Sequence, residues 1–283
     1  MSRRGAGPLV VVGAVAALTV AIALQVIRDR RYTMDDTSAE QLLYVRSPAA
    51  VGRIVLGFDA LAADVYWIRA IQHYGSGRLA PEGIRRRYEL LYPLLDLTTS
   101  LDPYFNIAYR FGAIFLSEAY PGGAGRPDLA IALLQKGIAA QPDRWHYYHD
   151  IGFVHYWAMQ DRRGAAEWFR KAAERPGAPN WLLPIAAAML TETTDRTAAR
   201  YLWRQILDAD DEWLRQRAIR GLMQIDALDQ IDRLNGLVAT GALKSLPADP
   251  AGVPYEIDPA TRRVTVSKRS PLFPLPNAQE PVR

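Results

Sequence analysis

The residues best equipped for chemistry lie in one short run, Trp145-His-Tyr-Tyr-His-Asp150, which holds two of the four histidines. His146 and His149 are three apart, so on a helix they share a face, with Asp150 beside them. Two imidazoles and a carboxylate can ligate a transition metal. The run lacks a further ligand at matching spacing, since His155 lies nine residues from His146 and half a helical revolution away. The spacing is therefore weak support for a metal site. The chain has no Cys, which removes disulfides, thiol nucleophiles and Cys-ligated zinc together. The phosphate-binding motifs G-x-x-x-x-G-K and G-x-G-x-x-G are absent, as are the zinc motif H-E-x-x-H, the G-x-S-x-G elbow and the calcium loop. No pair of carboxylates is grouped for acid/base work. The expectation is a protein with no catalytic residues, no cofactor and no metal, acting by binding.

The net charge of +4 has a location. Arg3, Arg4, Arg28, Arg30 and Arg31 against Asp29 account for all of it, so the chain beyond residue 31 is neutral. A nucleic-acid binder needs a basic face on its folded domain. Here the surplus flanks an apolar segment, so no nucleic-acid partner is expected. Residues 8–27 are twenty residues without a charge, about 30 Å long as a helix. Eleven are Leu, Ile or Val, contributing on the order of −3 to −7 kcal/mol to insertion. The reading is a signal-anchor transmembrane helix over 8–27, after an N-terminal tail of 1–7 and before a tether of 28–47. The protein would then sit single-pass in the inner (plasma) membrane with its body on the extracytoplasmic side. Arginines on both sides nearly balance the charge rule for orientation. Ala21-Ile22-Ala23 leaves a cleaved signal peptide open as the other reading.

Beyond the tether, residues 48–240 show apolar residues at helical spacing, broken by Pro and Gly. Small residues recur: Gly152, Ala187 and Gly221 are 35 and 34 apart, and Gly112 lies 40 before Gly152. A six-residue insertion, Pro121–Arg126, accounts for the longer interval. A second pattern runs small, large, small, Pro through Ala130, Leu134, Gly137 and Pro142. It returns as Ala165, Phe169, Ala172 and Pro176, then as Ala199, Trp203 and Ile206 with Asp211 in the Pro position. Leu91, Leu95, Thr98 and Pro103 form a degenerate earlier copy. Small residues admit close helix approach and large ones fill the space beyond. One helix pair cannot bury its apolar face alone, so stacked neighbours must build one core.

These residues resemble the tetratricopeptide (TPR) repeat, a 34-residue helix–turn–helix unit. The second unit fits best, with Tyr148, Ile151, Gly152 and His155 on its first helix and Ala165, Phe169 and Ala172 on its second. His155 and Ala187 depart from the family's usual residue types. The resemblance implies an all-α, TPR-like α-solenoid of helix pairs whose first helices line a groove that binds other proteins. By register it places Asn106, Tyr109 and Leu116 there from one unit, and His146, His149, Phe153, Tyr156 and Trp157 from the next. Trp181, Thr191 and Glu192 follow, then Arg215 and Ala218. Some of these aromatics could instead pack between helices.

Residues 56–74 mix Asp59, Asp64 and Arg69 with many apolar side chains, and read either as a helix packed on the first repeat or as a second interaction face. In the C-terminal region 241–269, alternation over 253–257 and 263–267 around Asp258-Pro-Ala-Thr predicts a small β-hairpin. The stretch Leu246–Tyr255 also resembles the C-terminal region of major pseudopilins of type II secretion. The tail 270–283, opening Ser270-Pro-Leu-Phe-Pro-Leu-Pro276, is Pro-rich and predicts extended chain. Together these readings make the protein a membrane-anchored interaction scaffold in assembly of an envelope, pilus or secretion complex. The alternatives are a groove that receives a small ligand or glycan, and a metal-dependent enzyme.

Overall fold

The computed structural model describes residues 15–24, 26–27, 53, 56–81, 87–193, 195–243 and 245–276. It divides into two compact units, 1–47 and 48–283. In the first, residues 15–24 form an exposed helix. Among the described residues no helix is long and apolar enough to cross a membrane, which corrects the expected single-pass location in the inner membrane. The continuous described helix over 15–24 rises about 15 Å, half of the roughly 30 Å hydrocarbon core. The rest of the expected span, residues 8–14 and 25, lies outside the described residues, as do the tail 1–7 and the tether 28–47.

The second unit is predominantly helical. Its helices are α1 (Asp59–Arg78), α2 (Leu91–Leu101), α3 (Asn106–Ser117), α4 (Pro127–Ala140), α5 (Trp145–Trp157), α6 (Arg162–Ala173), α7 (Leu182–Thr191), α8 (Arg196–Leu207) and α9 (Glu212–Ala239). Each packs on the next along the chain, and α3 also touches α5, α7 touches α9 and α2 touches α4.

Local chemistry fixes where these helices start. Asp161, Asp195 and Asp211 cap α6, α8 and α9 by accepting from backbone N–H groups one turn in. Pro127 opens α4, where a missing N–H has no cost. The apolar face of α6 is Ala165, Phe169 and Ala172, and that of α8 is Ala199, Trp203 and Ile206, all buried. Opposite them stand the small residues of the alternate helices. A Cβ on Gly152 would lie 2.8 Å from the Phe169 ring, and one on Gly221 would lie 2.4 Å from Trp203. Both glycines are therefore required by close approach. Trp203 also donates its indole N–H to the Thr191 hydroxyl at 3.0 Å, satisfying its one polar atom inside the core.

The insertion 121–126 is clasped from the N-terminal side. Tyr88 donates to the carbonyl of Pro121 at 2.9 Å, and Arg78 reaches Glu118 at 2.6 Å and the carbonyl of Gly122 at 3.1 Å. After α9 the chain forms a two-stranded antiparallel hairpin, β1 (Glu256–Ile257) and β2 (Val264–Thr265), with Glu256 opposite Thr265 and Ile257 opposite Val264. Tyr255, Val264, Val266 and Leu272 pack on Ala227 and Leu234 of α9 in a separate small core. Tyr255 donates to Gln230 at 2.9 Å and Asn235 accepts from the Val264 N–H at 2.8 Å, tying hairpin to helix.

Candidate protein-binding face

On α5 the residues Tyr147, Tyr148, Ile151, Gly152 and Val154 are buried, which turns Phe153 and Trp157 outward. Phe153 is 43% and Trp157 64% exposed, and their rings stack with an interplanar angle of 4°. Tyr156 is half-buried against the core formed with α6 to α9. On α3, Ala108, Tyr109, Gly112, Ala113 and Leu116 are buried, and Ile107, Phe111 and Ile114 are exposed at i, i+4, i+7 spacing. The exposed residues lie on the sides of α3 and α5 opposite their buried ones. The two helices are joined across this surface by Arg110, whose guanidinium donates to both Asp150 oxygens, at 2.6 and 3.2 Å.

Asp150 sits at the centre of a polar cluster. Burial works to push its carboxyl up, but hydrogen bonds from His149 and Arg110, with the Arg110 charge, outweigh this and hold it below the ordinary carboxylate value. His149 Nδ1 lies 2.9 Å from Asp150, and its ring stands among Phe169, Trp145 and Trp181. The His146 ring stacks on Trp145 at 3.7 Å. Burial, then the positive charges of Arg110 and Arg144, push its pKa down. His149 and Asp150 are thus bonded to each other, and among the described residues no group of three His, Asp or Glu could hold a metal ion.

The remaining residues of the expected groove are dispersed. Tyr109 and Leu116 are fully buried: the Tyr109 ring packs 5.3 Å from that of Tyr147, and burial pushes its hydroxyl up to about 12. Asn106 accepts from Tyr147 at 2.5 Å and from Gln141 at 3.0 Å, so its amide oxygen is engaged. Thr191 and Ala218 are in the core. Trp181 lies edge-on to Trp145. Glu192 is paired with Arg162 at 2.6 Å, and Arg215 with Glu212 at 2.6 Å. The residues that the spacing missed are Ile107, Arg110, Phe111 and Ile114. Their signal was present as an apolar i, i+4, i+7 row on the side of α3 away from Gly112. No family model, no curated protein and no solved structure matches this chain.

Proposed function

We propose that this chain is a TPR-type helical repeat scaffold that binds another protein across the outward faces of α3 and α5. The observation that carries the reading is the exposed apolar surface of Ile107, Phe111 and Ile114 with the stacked Phe153–Trp157 pair. Five large apolar side chains turned out of the core mark an interaction site. Aromatic residues at the centre of a protein interface contribute most of its affinity. The Arg110–Asp150–His149 cluster gives the surface polar groups that fix orientation. The 34- to 35-residue spacing of Gly152, Ala187 and Gly221, and the packing of each helix on the next, support the repeat assignment.

The test compares the tagged wild-type chain with a Phe153→Ser/Trp157→Ser variant in co-purification with mass spectrometry. The expected outcome is a protein retained by the wild type and lost by the variant, with roughly 2 kcal/mol or more of affinity removed and melting unchanged. Equal recovery by both, at equal melting temperature, would overturn the assignment to this face.

A further inference from the structure

A second surface, at the other end of the array, is built to take a different ligand. The chain's own segment 272–276 lies on α9 and is held there by its backbone carbonyls. Gln224 donates to the carbonyls of Leu272 and Pro274 at 3.1 and 3.2 Å, and Arg220 donates to that of Phe273 at 3.2 Å. Contacts of this kind do not depend on the side chains of the segment held. Beside it a cleft of about 450 Å³ opens between α7 and α9, with Pro274, Leu275 and Pro276 as its third wall and Trp203 at its floor.

The charge of this cleft is unbalanced. Glu192 is already taken by Arg162 at 2.6 Å. Arg217 is exposed and has no carboxylate partner among the described residues. The Arg220 guanidinium lines the same cleft and spends one terminal nitrogen on the Phe273 carbonyl. Arg217 therefore offers its donors, and Arg220 the nitrogens not spent on Phe273, where no free acid among the described residues answers them, between walls of Pro, Leu and Ala. A guanidinium fork matches a carboxylate in shape as well as charge. Nucleic acid is a poor match, because the chain beyond residue 31 is neutral and the cleft lacks the run of basic groups that a phosphate backbone needs.

We propose that this cleft docks an acidic peptide segment of another protein, its carboxylate bound by Arg217 and Arg220 and its apolar flank laid against Pro274–Pro276. The site lies on α7 and α9, apart from the face of α3 and α5, so either can hold when the other fails. The test pans a displayed library of random dodecapeptides on the full chain and rescreens the recovered clones against Arg217→Glu. Arg217 is exposed and makes no hydrogen bond or ion pair among the described residues, so the variant should melt with the wild type. The expected result is a set of clones rich in Asp and Glu. Each should lose at least about tenfold in binding to Arg217→Glu, less to Arg217→Gln, and as much when its own acids become amides. Their binding should weaken as salt rises from about 50 to about 300 mM. Recovery of no acidic clones, or of acidic clones that bind Arg217→Glu as well as the wild type, overturns the proposal. Clones without acids that are retained by Arg217→Glu but lost by Phe153→Ser/Trp157→Ser would leave the other face standing.

Discussion

Phe169 is the residue on which the middle of the array turns. Its ring fills the space left by Gly152, its side chain is 5% exposed, and its neighbours are held by helices on both sides. Phe169→Ala should cost about 3–5 kcal/mol, because the surrounding helices cannot close over the cavity. Gly152→Leu should destabilise as well, by forcing α5 from α6. Melting of both variants near the wild-type temperature would show that this contact does not form. His73 makes a separate prediction. It is buried on α1 and its Nε2 has no partner. Burial pushes its pKa below the ordinary value, against the opposing charge of Glu89. The unfolded chain therefore binds more protons than the folded one as pH falls below about 6.5, and stability must fall with it. Urea titrations from about pH 7.5 to about pH 5.5 should show a steeper loss for the wild type than for His73→Asn. Parallel slopes would remove His73 as the cause. Residue types alone revealed Phe169, Gly152 and Trp203, because size alternation at fixed spacing reflects packing directly. The burial of His73 was not legible, since it depends on how α2 lies across α1.

Helix ends and helix rotations mark where the sequence was informative at the next scale. Asp211 accepts from the N–H groups of Trp213 and Leu214, at 2.9 and 3.4 Å, and starts the longest helix of the second unit. Asp211→Ala should cost about 1 kcal/mol, measured by denaturant unfolding, and an unchanged midpoint would show that water replaces the cap. Such caps are local, as is the hairpin after Pro254, which the alternation of residues predicted and which forms β1 and β2. The rotation of α3 was not. Aligning Gly112 with Gly152 puts Tyr109 and Leu116 on the outward face, yet both are buried. A Cβ on Gly112 would lie 2.8 and 2.9 Å from Leu95 of α2 and Leu133 of α4, whereas one on Gly152 would meet the Phe169 ring and the Ala165 backbone, both of α6. A glycine wedged by two helices sets a different rotation from one pressed by a single ring, and only the packing reveals which applies. The same limit affected α1, which buries Ala62, Ala63, Tyr66, Ala70 and His73 and exposes Leu61, Val65, Ile68 and Ile71 on its back. Its apolar residues run nearly all round, so periodicity could not say which side faced the core.

At the scale of the whole second unit, contacts run between neighbours along the chain, and stability should therefore be regional. The C-terminal region packs on α9 through Tyr255, Val264 and Leu272 against Ala227 and Leu234. It covers apolar surface that a following helix would otherwise cover. Tyr255 is part of this cover: it is 2% exposed and its hydroxyl donates to Gln230 at 2.9 Å. Tyr255→Ala should thus loosen the hairpin and the second half of α9 first. The loss of contact should pass next to α7 and α8, which pack on α9, and reach α3 to α6 last or not at all. Hydrogen exchange with mass spectrometry can follow this, with α3, α4, α5 and α6 read in the same sample as α9. The expected pattern is faster exchange in 227–239 and 254–267, with protection of 106–140 unchanged. Uniform acceleration across all helices would mean that the array unfolds as one cooperative block. In that case the hairpin supports the entire unit rather than closing one end of it, and a nearest-neighbour description of its stability fails.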